Sequence, residues 1–186
     1  QLADDLKAEG IRLVPIIDAG VLIDEKDETC QEGLAKDYFC KKADGTPFVA
    51  AVWPGKAYFA DFLRPEVREW FGGRYKVLTD LGIEGFWNDM NEPALFYSPD
   101  RLKAFFDSMA EMSKMPNIEQ EDFFEKVVGG VMGLMNSPED YASFYHEVNG
   151  QRIRHDRVHN LYGGSMTRAA GEALAKERPD KRTLLY

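Results

Sequence analysis

The chain has 186 residues and a formal net charge of −9 at pH 7. This length is enough to bury a substantial core, and the negative charge argues against nucleic acid or an anionic membrane surface as a partner, because both attract basic patches. No apolar run reaches the roughly 20 residues of a membrane span. The two cysteines, Cys30 and Cys40, match neither a metal-site spacing nor a disulfide framework, so we expect a reducing, cytoplasmic setting.

The first third of the chain predicts one helix, one buried strand and a long loop. Leu2 and Leu6 are at helical spacing before Gly10, a residue typical of helix ends. Ile11 to Ile17 is almost continuously apolar, as in a strand that is buried on both faces of a parallel sheet. Residues 21–64 show no sustained period, and their many aromatic side chains predict an ordered, functional loop.

A second helix and a second strand follow in the same order. Pro65 is at a favoured first-turn position, and apolar residues recur at helical spacing from Val67 to Leu78. Gly82 ends this helix, and Ile83 to Trp87 is the next apolar run. The order of helix, strand and long loop predicts an α/β fold, a TIM (β/α)₈ barrel with its sites in the loops. Since a complete barrel needs roughly 250 residues, we expect a partial barrel, its central segment, incomplete at both ends.

Residues 98–155 predict a helical insertion after the second strand. Ser98 opens one helix, and Glu121 to Met135 forms another whose apolar residues are expected to be core. Ser137 begins a third helix, with the S-x-x-[DE] pattern of a capping box. The pair Asn149-Gly150 fits either the end of that helix or a tight turn.

The last part of the chain predicts a long helix that Pro179 ends, and then a strand that begins at Thr183. His159 in the first turn of this helix could act as a base, although a histidine there more often has a structural role. His146 and His155 lack the spacing of metal ligands.

Carboxylates at the ends of the two strands are the leading candidates for chemistry. The second strand ends in Asp89 and Glu92, and carboxylates at the end of a buried strand are costly to desolvate unless they are paired or used. Asp18 ends the first strand, so it could converge with Asp89 on one cleft. Glycoside hydrolysis uses one carboxylate to attack the sugar and one to protonate the leaving oxygen. Trp53 and Trp87 could stack on sugar rings.

The same residues allow other interpretations. Asp18 could cap the turn that follows it, and Asp89 and Glu92 could cap a helix entered at Pro93. Trp53 taken alone is more often a core residue than a sugar platform. At the level of function, the three carboxylates could instead hold a divalent metal that activates water, or the chain could belong to a carbohydrate-binding barrel without catalysis.

Four sequence blocks carry a resemblance to a known family. They are the segments 16–20, 52–55 with 59–62, 85–96 and 159–163. The third block contains W-x-D-M-N-E-P at residues 87–93, which is similar to the signature of the retaining α-glucosidases of glycoside hydrolase family 31. Its Met-Asn form resembles the α-glucosidase branch rather than the α-xylosidase branch, where Phe-Gly is usual.

The resemblance implies a role for each candidate residue. Asp89 would be the catalytic nucleophile, and Glu92 would support it through hydrogen bonds. Asp18 would bind hydroxyls of the sugar in the −1 subsite, with Ile16 nearby. The other residues implied to line that subsite are Trp53, Trp87 and Met90. The substrate would be an α-glucoside oligosaccharide, and no metal or cofactor is implied.

The implied mechanism is double displacement with retention of configuration. In the family the general acid/base is an Asp in a W-x-G-D-N block, which we expect downstream of Tyr186. A β-sandwich whose loop closes the pocket is expected upstream. We therefore expect no useful activity from this chain alone.

Overall fold

The computed structural model describes residues 1–186 and contains three sheets of three strands each. In chain order the elements are α1 (Leu2–Ala8), β1 (Ile16–Asp18), β2 (Gly20–Leu22), α2 (Glu28–Ala35), β3 (Lys41–Lys42), β4 (Val49–Val52), β5 (Gly55–Phe59), α3 (Pro65–Gly73), α4 (Lys76–Thr79), β6 (Gly85–Asp89), α5 (Pro99–Met112), α6 (Gln120–Asp122), a π-helical stretch (Phe123–Gly129), α7 (Gly130–Met132), α8 (Pro138–Tyr141), β7 (Phe144–Val148), β8 (Gln151–Arg154), α9 (His155–Glu177) and β9 (Leu184–Leu185). None of the helices combines the length and the apolarity needed to cross a membrane.

A parallel sheet in the order β1-β6-β9 is the barrel part of the molecule. Helices α3 and α4 precede β6, and α9 precedes β9, which confirms the predicted α/β order and the partial barrel. The first strand is shorter than predicted, and the expectation that it is buried on both faces is wrong. Ile11 and Ile16 are 52% and 53% exposed, because no further strand pairs with the outer edge of β1.

The segment 21–64, predicted as a loop, contains a small antiparallel sheet. Strand β5 pairs with both β2 and β4, and helix α2 lies between β2 and β3. The side chain of Asp27 caps α2 by accepting a hydrogen bond from the Thr29 N–H at 2.9 Å. The strands have two to five residues each, too short to give a sustained period in the sequence.

The segment 98–155 is helical only in its first part. Ser98 caps α5 as predicted, but the apolar side chains of the next helical stretch are not core. The exposed ones are Phe123, Phe124, Val128, Val131, Met132 and Met135. The helix predicted at Ser137 is confined to α8, because the alternating burial of Phe144 and His146 belongs to a hairpin of β7 and β8. Asn149-Gly150 is its tight turn, with φ values of 50° and 76°.

Helix α9 joins the parallel sheet to the rest of the core. Its apolar face carries the buried residues Tyr162, Met166, Ala169, Ala170 and Leu174. It crosses α3 so closely that a Cβ atom at Gly72 would lie 2.3 Å from the carbonyl oxygen of Ala169. The long helix predicted before Pro179 is confirmed and extends from His155 to Glu177. This packing fixes α9 against α3 and beside β9, the strand that pairs with β6.

Candidate active site

Asp18 and Asp89 are direct neighbours at the carboxyl ends of β1 and β6. Both side chains are half-buried. Burial, and then the negative charge of Asp89, raises the pKa of Asp18 above its ordinary value. Asp18 Oδ1 is also buried without a hydrogen-bond partner. An unsatisfied acceptor beside a second carboxylate is suited to receive a hydroxyl group from a ligand.

The backbone at the end of β6 fixes the direction of Asp89. Alternation along the strand places Asn88 on the opposite face, where its side chain accepts a hydrogen bond from the Tyr75 hydroxyl. Met90 then adopts a left-handed conformation with φ of 55°, which is uncommon for a residue other than Gly, Asn or Asp. The chain therefore turns away from the sheet immediately after Asp89, and the next segment is free to form a loop. The Glu92–Pro93 peptide bond in this loop is cis.

The loop after Asp89 is held on both sides by the insertion and by α9. The Tyr141 hydroxyl donates to the carbonyl oxygen of Pro93 at 3.0 Å. The Leu95 N–H donates to Asn136 Oδ1 at 2.7 Å. On the side of α9, a Cβ atom at Gly163 would lie 2.9 Å from the Asn91 carbonyl oxygen, so the helix backbone lies directly against the loop.

Glu92 makes no side-chain contact of the kind that would link it to the two aspartates. Its side chain is exposed and makes no hydrogen bond or ion pair in this structure, so the hydrogen-bonded support for Asp89 implied by the resemblance is not formed here. The loop instead owes its position to bonds made by its backbone, to Tyr141 and Asn136.

Trp87 and Ile16 lie on the same face of the sheet as the aspartates. They are register partners two residues before Asp89 and Asp18 on their strands. The Trp87 ring stacks on Tyr186 with ring centroids 5.5 Å apart and an interplanar angle of 10°. Tyr186 was not predicted as a site residue, because the pairing of β9 with β6 is not visible in the sequence.

Trp53 reaches the loop through one contact. Its ring is 73% exposed and meets the Phe96 ring edge-on, with centroids 4.8 Å apart. The two segments are brought together by the Ala51 N–H, which donates to the Tyr97 carbonyl oxygen at 2.8 Å. Met90 is half-buried at the start of the loop. The exposed Trp53 ring argues against its interpretation as a core residue.

The carboxylate pair lies at the end of a three-stranded sheet that does not close into a barrel. The five main clefts of the surface are lined by other residues. This follows from the three-stranded barrel sheet, whose outer strands β1 and β9 have no further neighbours. A sugar-shaped pocket around Asp89 needs walls that these 186 residues do not supply.

One group of side chains is close enough together to hold a metal ion, and it does not include Asp18 or Asp89. The ligand atoms of Cys40, Asp61 and His146 lie within 4.8 Å of one another, and all three residues are buried. Asp18, Asp89 and Glu92 do not form such a group. The sequence spacing around His146 did not indicate this group, because the pairing of β3 with β7 brings Cys40 and His146 together across 106 residues.

Comparison with known proteins identifies the family of this chain. The family model "Glycosyl hydrolases family 31 TIM-barrel domain" matches residues 1–186. Alpha-glucosidase 2 of Bacillus thermoamyloliquefaciens is 36% identical over 185 residues, which are 100% of this chain and 19% of that protein. Alpha-xylosidase 1 of Arabidopsis thaliana is 41% identical over 96 residues, 51% of this chain and 10% of that protein.

Solved structures show the same relationship. The crystal structure of a glucosidase II alpha subunit with bound DNJ matches with a TM-score of 0.66 and 26% identity. The match covers 99% of this chain and 16% of that chain. The chain thus spans about a fifth of the length of the full-length relatives it matches. It belongs to glycosyl hydrolase family 31 and forms part of the family's TIM-barrel domain.

Proposed function

We propose that this chain is the nucleophile-bearing part of a longer retaining α-glucosidase, which releases terminal α-linked glucose from oligosaccharides. The observation that supports this most strongly is the register of Asp18 and Asp89 at the ends of β1 and β6. It places a half-buried carboxylate beside an unsatisfied oxygen acceptor on one face of the sheet. Those are the groups needed to attack a sugar and to hold its hydroxyls.

In the first step, a carboxylate oxygen of Asp89 attacks the anomeric carbon of the α-glucoside. The bond from that carbon to the leaving oxygen breaks, and the leaving oxygen takes a proton from an acid that lies outside these residues. The product is a β-linked glucosyl ester of Asp89. Water, deprotonated by the same acid/base group, then attacks the anomeric carbon as the bond from that carbon to the Asp89 oxygen breaks, which frees the carboxylate and restores the α configuration.

The neighbouring side chains bind the sugar. Asp18 accepts a hydrogen bond from a sugar hydroxyl, which satisfies its buried Oδ1. The stacked rings of Trp87 and Tyr186 provide an apolar surface beside Asp89. Trp53 and Met90 complete the −1 subsite, with Ile16 at its edge. Glu92 takes up its supporting contact to the nucleophile only when the rest of the barrel is present.

The preference for glucose over xylose depends on the pair Met90-Asn91. An alpha-xylosidase is also similar to part of this chain, so family membership alone does not distinguish the two substrates. We assign glucose from the Met-Asn form of the signature. The test is the ratio of kcat/KM for a nitrophenyl α-glucoside to that for the α-xyloside in the longer enzyme, and a ratio below one would exclude this assignment.

A covalent trapping experiment tests the nucleophile. The longer enzyme is incubated with a fluorinated glucosyl fluoride, digested and analysed by mass spectrometry. We expect the added glucosyl mass on the peptide that contains Asp89, and none in the Asp89→Asn variant. Asp180→Asn, at an exposed position to which no role is assigned, is the matched control and retains the adduct. Turnover without an adduct, or an adduct on another peptide, would refute the proposal.

Two other functions predict different results. A metal-dependent hydrolase loses activity in a chelator, but Asp18, Asp89 and Glu92 do not have the spacing of a metal group. We therefore expect unchanged activity in EDTA. A carbohydrate-binding barrel without catalysis forms no covalent adduct, so the trapping experiment separates it as well.

A further inference from the structure

All three histidines of the chain lie in one row of hydrogen bonds. His146 Nε2 is 2.9 Å from His155 Nδ1, and His155 Nε2 is 3.1 Å from His159 Nδ1. At the inner end, His146 Nδ1 is 2.7 Å from Asp61 Oδ1. The row therefore links the segment after β5, strand β7 and the first two turns of α9. The mechanism proposed above uses none of these groups.

The contact between Asp61 and His146, at the inner end of the row, determines which nitrogen of His146 carries a hydrogen atom. Asp61 is 2% exposed, and its second oxygen accepts a hydrogen bond from the Glu147 N–H at 2.7 Å. A carboxylate has only acceptors, so the hydrogen between the two side chains is carried by His146 Nδ1. Burial, and then the charge of Asp61, raises the pKa of the nearby Cys40 thiol well above its ordinary value, so Cys40 stays uncharged.

This direction continues along the row. With its hydrogen on Nδ1 directed at Asp61, His146 offers Nε2 to His155, which donates to it from Nδ1 over 2.9 Å. His155 Nε2 is then an acceptor and receives the Nδ1 hydrogen of His159. Burial contributes most to lowering the pKa of His155 to about 3, and the neighbouring His146 and His159 lower it further. A hydrogen bond with the backbone of Glu92 opposes part of this shift in pKa. His155 is thus neutral at physiological pH.

The outer end of the row meets the loop that follows Asp89. The Tyr141 ring lies against the His155 and His159 rings, with centroid distances of 5.4 Å and 4.9 Å. The hydroxyl of the same tyrosine holds the Pro93 carbonyl oxygen. One turn beyond His159, Gly163 lies against the backbone of Asn91. The placement of the first turns of α9 therefore determines where this loop lies.

We propose that Asp61, His146, His155 and His159 form a directed hydrogen-bond chain that positions the loop 90–93, and through it Asp89. Every histidine in the chain carries its hydrogen on Nδ1 and donates toward Asp61. This inference rests on the proposed function, because its consequence is measured as catalysis by Asp89. The four residues touch no reacting atom, so they are positioning residues.

His159 offers the sharpest test, since only its Nδ1 takes part in the row. Asparagine carries an N–H near the Nδ1 position, whereas leucine carries none. In the longer enzyme we expect His159→Leu to lower kcat about tenfold or more with KM unchanged, because a misplaced nucleophile weakens the transition state. We expect His159→Asn to stay within about twofold of the parent enzyme. Leu161→Ala, at an exposed position of the same helix, is the matched control.

Two results would overturn the inference: an unchanged kcat in His159→Leu, or equal losses in His159→Asn and His159→Leu. A second measurement does not require variants. Nitrogen NMR of the 186-residue chain with ¹⁵N-labelled histidine rings should show the Nδ1–H form for all three at pH 7, and an Nε2–H form at any of them would contradict the inference. Failure of the trapping at Asp89 in the parent enzyme would instead refute the proposed function. The NMR experiment would still test the direction of the hydrogen bonds, because it does not depend on catalysis.

Discussion

Asp18 lies opposite Asp89 in register, so two carboxylates share the ends of neighbouring parallel strands. The charge of Asp89 adds to burial in raising the pKa of Asp18. Such a pair destabilises the folded chain unless a ligand or a proton satisfies it. The arrangement is therefore explained more readily by a function than by stability.

Replacing Asp18 with asparagine should stabilise the chain at neutral pH. The folded-state pKa is raised above the ordinary value of 3.8, so the folded chain holds this proton more tightly than the unfolded chain. Stability is then lost as pH rises from 3.8 through the folded value, and the loss persists at pH 7. We expect Asp18→Asn to increase the free energy of unfolding at pH 7 by about 1 kcal/mol.

Urea unfolding at two pH values checks this sign. The gain should be present at pH 7 and should disappear at pH 3, where the aspartate is protonated in both states. In the longer enzyme the same variant should lose affinity for substrate, because the hydroxyl acceptor is weakened. A variant that is less stable than the parent at pH 7 would show that Asp18 has a stabilising partner.

The 186-residue chain should be inactive on its own. The chain carries Asp89, but this residue lies at the end of a sheet that does not close into a barrel. We place the general acid outside these residues. Loss of a general acid typically costs about 10² to 10⁴-fold in rate, and the missing pocket walls add to this. The measurement is hydrolysis of a nitrophenyl α-glucoside by the purified chain, with Asp89→Asn as the control. Turnover that depends on Asp89 would contradict the prediction.

The long helices and the parallel strand order were predictable because their patterns are local. The helix that ends before Pro179 and the capped start of α5 follow from spacing and capping residues. The carboxylates at the strand ends were likewise visible, because a strand that stops at Asp18 or Asp89 is a feature of a few consecutive residues.

What was missed depends on contacts between distant segments. The short strands β2, β4 and β5 give no period long enough to recognise, and their sheet forms only by pairing across the segment 21–64. The histidine row joins Asp61 to His146 across 85 residues. Spacing rules for metal or catalytic motifs are local and do not detect such a group. The exposed apolar helix at 123–135 looked like core because periodicity shows that a face is apolar, not what covers it.

Adjacent glycines in α3 provide a test of its packing on α9. A Cβ atom at Gly72 would lie 2.3 Å from the Ala169 carbonyl oxygen, whereas one at Gly73 would meet nothing within 4 Å. We expect Gly72→Ala to lower the free energy of unfolding by about 1–3 kcal/mol through overpacking. Gly73→Ala should raise it by about 0.5–1 kcal/mol, since alanine is the better helix former. Thermal unfolding of both variants is the measurement, and equal effects would show that the helices separate easily.

A second glycine pair tests the contact between α9 and the loop. A Cβ atom at Gly163 would lie 2.9 Å from the Asn91 carbonyl oxygen, and one at Gly164 would be in open space. We expect Gly163→Ala to reduce kcat in the longer enzyme about tenfold, because it displaces the segment that follows Asp89. Gly164→Ala should leave kcat unchanged. Comparable kcat values for the two variants would show that the position of the loop does not depend on its contact with α9.

His155 should make the chain less stable as the pH falls below neutrality. Burial lowers its pKa from 6.5 in the unfolded chain to about 3 in the folded one, so below pH 6.5 the unfolded chain binds a proton that the folded chain does not. Stability from this group is complete above pH 6.5 and is lost progressively down to about pH 3. Between pH 6.5 and pH 5 the loss is about 2 kcal/mol.

Urea unfolding of the parent chain and of His155→Gln at pH 7.5 and pH 5 isolates this contribution. Glutamine does not titrate, so the variant is expected to be less stable at pH 7.5 but to lose about 2 kcal/mol less than the parent on acidification. The comparison uses the pH dependence of each protein, so the lost hydrogen bonds cancel. Parallel pH profiles for the two proteins would mean that His155 takes up its proton in the folded chain as readily as in the unfolded one, and the row could not then hold it neutral.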